Sequence, residues 1–219
     1  MNTHLITGAN RGIGLEFCRQ LAARGDEVVA ACRESTPELD ALGLRVETGV
    51  DVADAASVAD LARRLDGIGL GLLVANAGIL ERIGLDALDF DSIRRQFEVN
   101  AIGTLRVVEA LLGNLGKGSK IGIVTSLMGS MGDNDSGGHY GYRMSKAALN
   151  AAGVSLALDL RPRGIPVAIL HPGLVNTRMT GHIGISTEES VQGLLARIDG
   201  LNLENSGTFW HSDGRVLPW

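Results

Sequence analysis

H-L-I-T-G-A-N-R-G-I-G, residues 4–14, carries a short apolar stretch straight into three glycines. Its opening, His4–Thr7, reads as a strand. From roughly Ile13 to Arg24 the apolar side chains recur at helical spacing, with Leu15, Cys18 and Leu21 inward and Gly25 placed to end the helix. Val28–Cys32 is then apolar throughout, as expected of a parallel strand covered on both faces. Strand, glycine turn, helix and strand make a βαβ unit. Among Gly8, Gly12 and Gly14, one makes the tight turn out of the strand. The others let a helix N-terminus and a dinucleotide pyrophosphate come close to the backbone. The spacing is G-x-x-x-G-x-G, and no Gly-Lys-Ser/Thr follows, which excludes an ATP or GTP loop.

Outward from this unit the pattern repeats. Leu44–Val50 reads as the third strand and arrives at Asp51-Val52; the crossover before it has room for a very short helix or none. Ala53–Leu65 is the next helix and Leu70–Ala75 the fourth strand, followed by the small residues Asn76-Ala77-Gly78. Ser92–Leu112 reads as one long helix with Phe97, Ile102, Leu105 and Val108 as core, interrupted by Asn100, a buried amide that needs partners. Lys120–Thr125, Ile165–His171 and Gly207–Trp210 complete the strands, and Ser186 caps a last helix, Thr187–Leu201. The expected architecture is α/β: a Rossmann-type doubly wound parallel sheet of about seven strands in three αβα layers, one domain over residues 1–219.

Composition narrows the function classes. The chain has 219 residues, 45% of them hydrophobic but only 4% aromatic, so the core is built from aliphatic side chains. A net charge of -5 argues against a nucleic-acid partner. Met1–Thr7 is too short for the apolar centre of a secretion signal, and the run Gly67–Ala77 is too short to cross a membrane. Cys18 and Cys32 form no disulfide or metal pattern, and a cytoplasmic location fits them. His182 and His211 are isolated, and no metal is expected.

The chemistry concentrates in I-G-I-V-T-S, residues 121–126, and Y-R-M-S-K, residues 142–146. Ser126 ends a strand on the edge where α/β sheets place their ligands. It lacks the G-x-S-x-G surroundings of a hydrolase nucleophile. Tyr142 and Lys146 are four apart, on one helix face. A lysine beside a phenol is expected to lower the tyrosine pKa, which suits proton transfer near neutral pH. Tyr140, six residues from Lys146, is poorly placed for that role. After Cys32 comes Arg33 rather than the acidic residue usual for NAD, and Arg33 with Arg11 points to the 2′-phosphate of NADP(H), with NAD(H) as the alternative.

Together, T-G-A-N-R-G-I-G at 7–14, D-V at 51–52, N-A-G at 76–78, F-E-V-N ending at Asn100, T-S at 125–126, Y-R-M-S-K at 142–146 and P-G-L-V-N-T at 172–177 resemble the short-chain dehydrogenase/reductase family. The segment around Tyr142 and the ending S-D-G-R-V-L-P-W are similar to its sniffer-like and C-factor-like carbonyl reductases. The resemblance implies an NADP(H)-dependent oxidoreductase acting on a small ketone, aldehyde or secondary alcohol. Tyr142 matches the acid/base, Lys146 its partner and the holder of the nicotinamide ribose, Ser126 the residue orienting the substrate oxygen, and Asn100 the keeper of a water-linked proton relay. Gly8, Gly12 and Gly14, supported by Ile13, match the pyrophosphate loop. Asp51 matches the adenine contact with Val52 as its neighbour, Asn76 and Gly78 the adenosine side, and Thr177 the carboxamide contact. Asn10, Arg11, Arg33, Ala77, Pro172, Gly173 and Val175 complete the implied cofactor set.

Two departures stand out. Ser126 and Tyr142 are sixteen residues apart, a few more than usual in the family, with Asn134–His139 as the insert. The segment after Thr177 is short, which leaves the pocket open or completed by a partner or by the last residues of the chain. The small residues from Ala147 to Gly153 suggest a homodimer or homotetramer, though they also suit tight packing within one subunit. The alternative to an enzyme is an NAD(P)-binding signalling or regulatory protein of C-factor type.

Overall fold

The computed structural model describes residues 3–219. Seven parallel strands form one sheet: β1 (Thr3–Thr7), β2 (Glu27–Ala31), β3 (Arg45–Glu47), β4 (Leu70–Ala75), β5 (Leu115–Val124), β6 (Val167–His171) and β7 (Phe209–His211). Their order is β3-β2-β1-β4-β5-β6-β7. The chain therefore winds outward from β1 to one edge and returns to wind outward from β4 to the other. β1 and β4 lie side by side at the switch point, where α/β sheets bind ligands beyond the strand ends.

Adjacent residues of each strand face opposite layers, which is why the strands read as unbroken apolar runs. Leu5, Val29, Leu73, Ile121 and Val167 face α3 (Ala55–Arg64), α5 (Gly103–Ala110) and α6 (Tyr140–Asp159). Ile6, Val28, Leu72, Val124 and Leu170 face α1 (Gly12–Ala23), the four-residue α2 (Pro37–Asp40) and α7 (Thr187–Asp199). Gly25 has φ +83° and follows α1, as its place in the sequence implies. Ser186 accepts from Glu189 N at 3.0 Å and caps α7.

The helix read as Ser92–Leu112 is not continuous. It comprises α4 (Phe90–Phe97), a π turn (Glu98–Ile102) and α5. The wider turn changes which side chains point inward. Val107, Val108 and Leu111 are buried, whereas Ile102 and Leu105 are 44% and 40% exposed and Phe97 is half-buried. Of the four core positions read from periodicity, only Val108 is in the core. β3 is shorter than Leu44–Val50 because Gly49, at φ +73°, turns the chain; Gly49 N and Val50 N still donate to Arg33 O and Cys32 O. β5 starts earlier than Lys120 and is longer than expected, with a register shift between its pairings to Leu70 and Leu72. β7 starts two residues later than the expected Gly207–Trp210 and ends one later, with Gly207 turning the chain at φ +84°.

One close approach ties α7 to the turn after β7. A methyl at Gly193 would lie 2.3 Å from Ser212 O. Alanine in a helix interior ordinarily gains about 1 kcal/mol over glycine. Here we expect Gly193→Ala to lose about 1–3 kcal/mol instead, the cost of overpacking against backbone. Urea unfolding measures it, and a variant at least as stable as the parent would show that α7 shifts freely.

Candidate active site

α6 is launched by an unusual backbone. Gly137, Gly138 and His139 have φ of +63°, +64° and +49°, so three successive left-handed residues reverse the insert into the helix. Arg143 stitches the insert down: its Nε donates to Gly137 O at 3.1 Å and its Nη2 to Ser136 Oγ at 2.8 Å. The start of α6 lies tight on α4, since a Cβ at Gly141 would be 2.6 Å from Gln96 Nε2 and 3.1 Å from Ile93 Cα.

The structure brings Asn100, Ser126, Tyr142 and Lys146 together, all of them buried. Ser126 follows β5, accepts from Met128 N at 3.1 Å, and its hydroxyl acts on the Tyr142 phenol in the direction of a lower pKa. Lys146 lies one turn along α6, its Nζ 5.8 Å from the Tyr142 ring centre and donating to Val124 O at 3.1 Å. Asn100 sits in the π turn. Its Oδ1 accepts from Ile79 N at 2.8 Å, and its Nδ2 donates to Ile79 O and to Ser145 Oγ, each at 2.9 Å. Ser145 in turn donates to Tyr142 O at 2.9 Å. Gly78 fits between these groups; a Cβ there would be 3.2 Å from Asn100 Oδ1 and 3.6 Å from Lys146 Nζ.

Three residues that the sequence reading left out support this arrangement. Thr125 donates to Asn150 Oδ1 at 2.7 Å, a buried brace between the strand end before Ser126 and the turn of α6 after Lys146. Ser145 links Asn100 to α6. Their signal in the sequence was position: Ser145 and Asn150 fall one residue before and four after Lys146, on or near its helix face.

The electrostatics correct one expectation. Burial pushes the Tyr142 phenol up to about 12, with the Ser126 hydroxyl acting against the rise. Lys146 does not lower it, because its ammonium is turned to the Val124 carbonyl and is itself held down to about 8 by desolvation.

The residues assigned to a dinucleotide converge on the switch point. Gly8 and Gly12 have φ of +65° and +55°. A Cβ at Gly14 would stand 2.2 Å from Gly8 O and 2.6 Å from Asn76 Nδ2. Asn76 locks the turn, donating from Nδ2 to Thr7 O at 3.0 Å, while Asn76 N and Ala77 N donate to Thr7 Oγ1. Asn10 Nδ2 donates to Glu34 O and Thr36 Oγ1 to Asn10 O, so the loop is fastened to the end of β2. Arg11 and Arg33 are both exposed, and Ile13 packs partly against the α1 layer. Asp51 Oδ1 accepts from Ala53 N at 2.9 Å, and Val52 O accepts from Arg106. On the far side, Pro172 O accepts from Ser190 Oγ at 2.7 Å, Gly173 turns at φ +85°, and Val175 bridges Ile185. Thr177 reaches back to the glycine turn: its Cγ2 would lie 3.4 Å from a Cβ on Gly12.

Lys146 leaves a mark on stability. Its folded pKa, about 8, is below the ordinary lysine value of 10.5. The unfolded chain thus binds the extra proton between those two values, and stability rises with pH across that window. Below it, the buried charge is a full penalty. We expect Lys146→Met to be more stable than the parent at pH 7 by on the order of 3 kcal/mol. The gap should close as pH rises from about 8 toward 10.5 in thermal melts. A gap independent of pH would refute the assignment.

The sequence pattern of the family described as short chain dehydrogenase matches residues 2–187. A 1-hydroxy-2-glutathionyl-2-methyl-3-butene dehydrogenase of Rhodococcus sp. (strain AD45) is 46% identical over 226 aligned residues, covering 100% of both chains. C-signal of Myxococcus xanthus is 45% identical over 152 residues, covering 68% of this chain and 92% of its own. An NADPH-bound carbonyl reductase from chicken fatty liver superposes with a TM-score of 0.91 at 32% identity, covering 100% of this chain and 99% of that one. Likeness of this extent, in sequence and in backbone, is shared ancestry rather than a common architecture alone, and the chain belongs to the short chain dehydrogenase family.

Proposed function

We propose that the protein interconverts a ketone or aldehyde and the corresponding alcohol with NADP(H). The observation that carries this reading is the buried cluster of Ser126, Tyr142, Lys146 and Asn100 beside a glycine cradle at the sheet's switch point. The cradle fits a dinucleotide. Side chains are excluded at Gly8 and Gly14, and no side chain caps α1, which leaves its first N–H groups free for phosphate oxygens. Arg11 and Arg33 supply positive charge where a 2′-phosphate would lie, and no acidic side chain precedes Glu34 at the end of β2. The NADPH carried by the chicken carbonyl reductase supports the same choice over NAD(H).

When bound, the nicotinamide supplies or accepts the hydride. Tyr142 gives its phenolic proton to the carbonyl oxygen in reduction and takes it back in oxidation. Ser126 holds that oxygen by its hydroxyl. Lys146 would hold the ribose hydroxyls. Asn100 keeps the loop at Ile79 and the start of α6 in register around Lys146, as a water-linked proton relay requires. Asp51, Val52, Asn76, Ala77, Gly78, Pro172, Gly173, Val175 and Thr177 line the remaining length of the cofactor.

The substrate class we favour has an apolar body. Leu174, Met179 and Ile183 are exposed along the segment after β6, an apolar rim for the cleft. The Rhodococcus relative, named as a 1-hydroxy-2-glutathionyl-2-methyl-3-butene dehydrogenase, supports an alcohol or carbonyl that carries a bulky substituent, whose polar part would lie beyond the apolar rim. Ile102 and Leu105 expose a second apolar strip, along a groove of about 440 Å³ between α5 and α6 that Leu156 and Leu160 also line, which supports a homodimer or homotetramer. Among the described residues no helix is long and apolar enough to cross a membrane, and we take the cytoplasm as the working location.

Nicotinamide fluorescence with NADPH and NADH in turn, followed by a panel of carbonyl compounds from small ketones and aldehydes to ones with bulky substituents, tests this reading. NADPH should bind more tightly. Tyr142→Phe should lose about 10²- to 10⁴-fold in turnover with NADPH affinity unchanged. Turnover near that of the parent would sink the assignment of Tyr142. Tight NADPH binding with no turnover on any carbonyl would shift the weight to a cofactor-binding signalling role.

A further inference from the structure

The loop that carries Ser126 is gripped from two sides. Its inner side, at Gly129, lies directly on α6: a Cβ there would stand 2.7 Å from Lys146 C and 2.9 Å from Ala147 N. The turn itself is compact, with Gly129 N and Ser130 N donating to Ser126 O and Leu127 O. Its outer side meets the last residues of the sequence. Gly132 N donates to Trp219 O at 2.7 Å, and a Cβ at Gly132 would lie 3.1 Å from that oxygen and 3.4 Å from Pro218 Cβ.

Those last residues are themselves fastened to the sheet. Trp210 and Val216 form an antiparallel bridge, and Leu217 N donates to Phe209 O at 2.8 Å. Leu217 is buried with Phe209 and Ile169, and Leu127, the neighbour of Ser126, packs on the same cluster. The Trp219 ring stacks on Phe209 with centres 5.4 Å apart and planes 21° apart. A chain of contacts thus runs from β7 through Trp219 and Gly132 to the serine loop, and from that loop to the backbone of Lys146.

We propose that Trp219 is a positioning residue for the loop that carries Ser126. The stack on Phe209 fixes where the Trp219 backbone oxygen stands, that oxygen fixes Gly132, and the loop between Gly132 and Gly129 cannot drift outward from α6. The proposal rests on the role given to Ser126 above. It does not involve the glycine cradle, which lies at the end of β1, four places along the sheet from β7. Loss of the clamp therefore separates carbonyl chemistry from cofactor binding. Misplacing a substrate-orienting group by about 1 Å costs on the order of 10²-fold in rate.

The test uses the full chain with Trp219→Ala, Trp219→Phe and Gly132→Val. Amide hydrogen exchange is followed across residues 127–134 and 142–146, NADPH affinity by fluorescence, and kcat and KM on the best carbonyl of the panel. In Trp219→Ala and Gly132→Val, exchange over 127–134 should speed up by about tenfold or more while 142–146 stays protected. kcat/KM should fall about 10- to 100-fold with NADPH affinity unchanged. Trp219→Phe, which keeps a ring on Phe209, should restore both. Exchange and kinetics like those of the parent in the two disruptive variants would overturn the proposal. So would loss of NADPH binding with exchange raised throughout, or failure of Trp219→Phe to rescue, since either marks a general packing role. A parent protein inert on every carbonyl would instead overturn the functional reading, and the exchange and rescue data would still decide whether Trp219 holds the loop.

Discussion

The carboxamide of Asn100 is the joint from which the site hangs. It is wholly buried, and a buried amide without partners costs far more than its net worth when paired. Its three hydrogen bonds reach two other parts of the chain: both backbone groups of Ile79, beyond the end of β4, and Ser145 on α6. The π turn is what brings that amide to the interior. A regular helix through Glu98–Ile102 would rotate it away, and the exposed Ile102 and Leu105 show where that rotation went. The apolar periodicity of the helix yields to one polar side chain, because the polar group has fewer places where it can be satisfied.

Around that joint the protein sets two titratable groups against their ordinary tendencies. Tyr142 is held protonated and Lys146 is held easy to deprotonate, both by the removal of water. In the described structure the ammonium spends its hydrogen bond on Val124 O, a group of the sheet itself. The arrangement is set by desolvation: hydrogen-bond acceptors added near Lys146 would favour its charged form, and a charge held there, 5.8 Å from the Tyr142 ring centre, would ease ionisation of the phenol. The four-residue spacing alone therefore does not set the acidity of the tyrosine.

Much of this was legible in the sequence. The glycine turn, the continuous strands, the short α2 and the cap at Ser186 follow from local rules, and the structure has them where those rules put them. Ser126 was found because it ends an apolar run, Asn100 because it interrupts one, and Tyr142 and Lys146 by their four-residue spacing. What escaped was relational. Nothing local to 92–112 announces a π turn, since the partners it brings to Asn100, Ile79 and Ser145, lie elsewhere in the chain. Thr125 and Asn150 are ordinary residues until the strand and the helix meet. The tyrosine pKa failed for a related reason: spacing fixes a distance along a helix, but burial and the direction of the lysine depend on the packed interior.

The bridge between Trp210 and Val216 has one more consequence, at the rim of the sheet. An open parallel sheet has two outer strands whose unpaired N–H and C=O groups invite another chain to add on. Here both rims are short. β3 runs for three residues between the charged Arg45 and Glu47, which bond each other. β7 also runs for three residues and has Arg215–Leu217 laid antiparallel along it, donating and accepting where a foreign strand would. A sheet this apolar thereby carries its own protection against edge-to-edge aggregation.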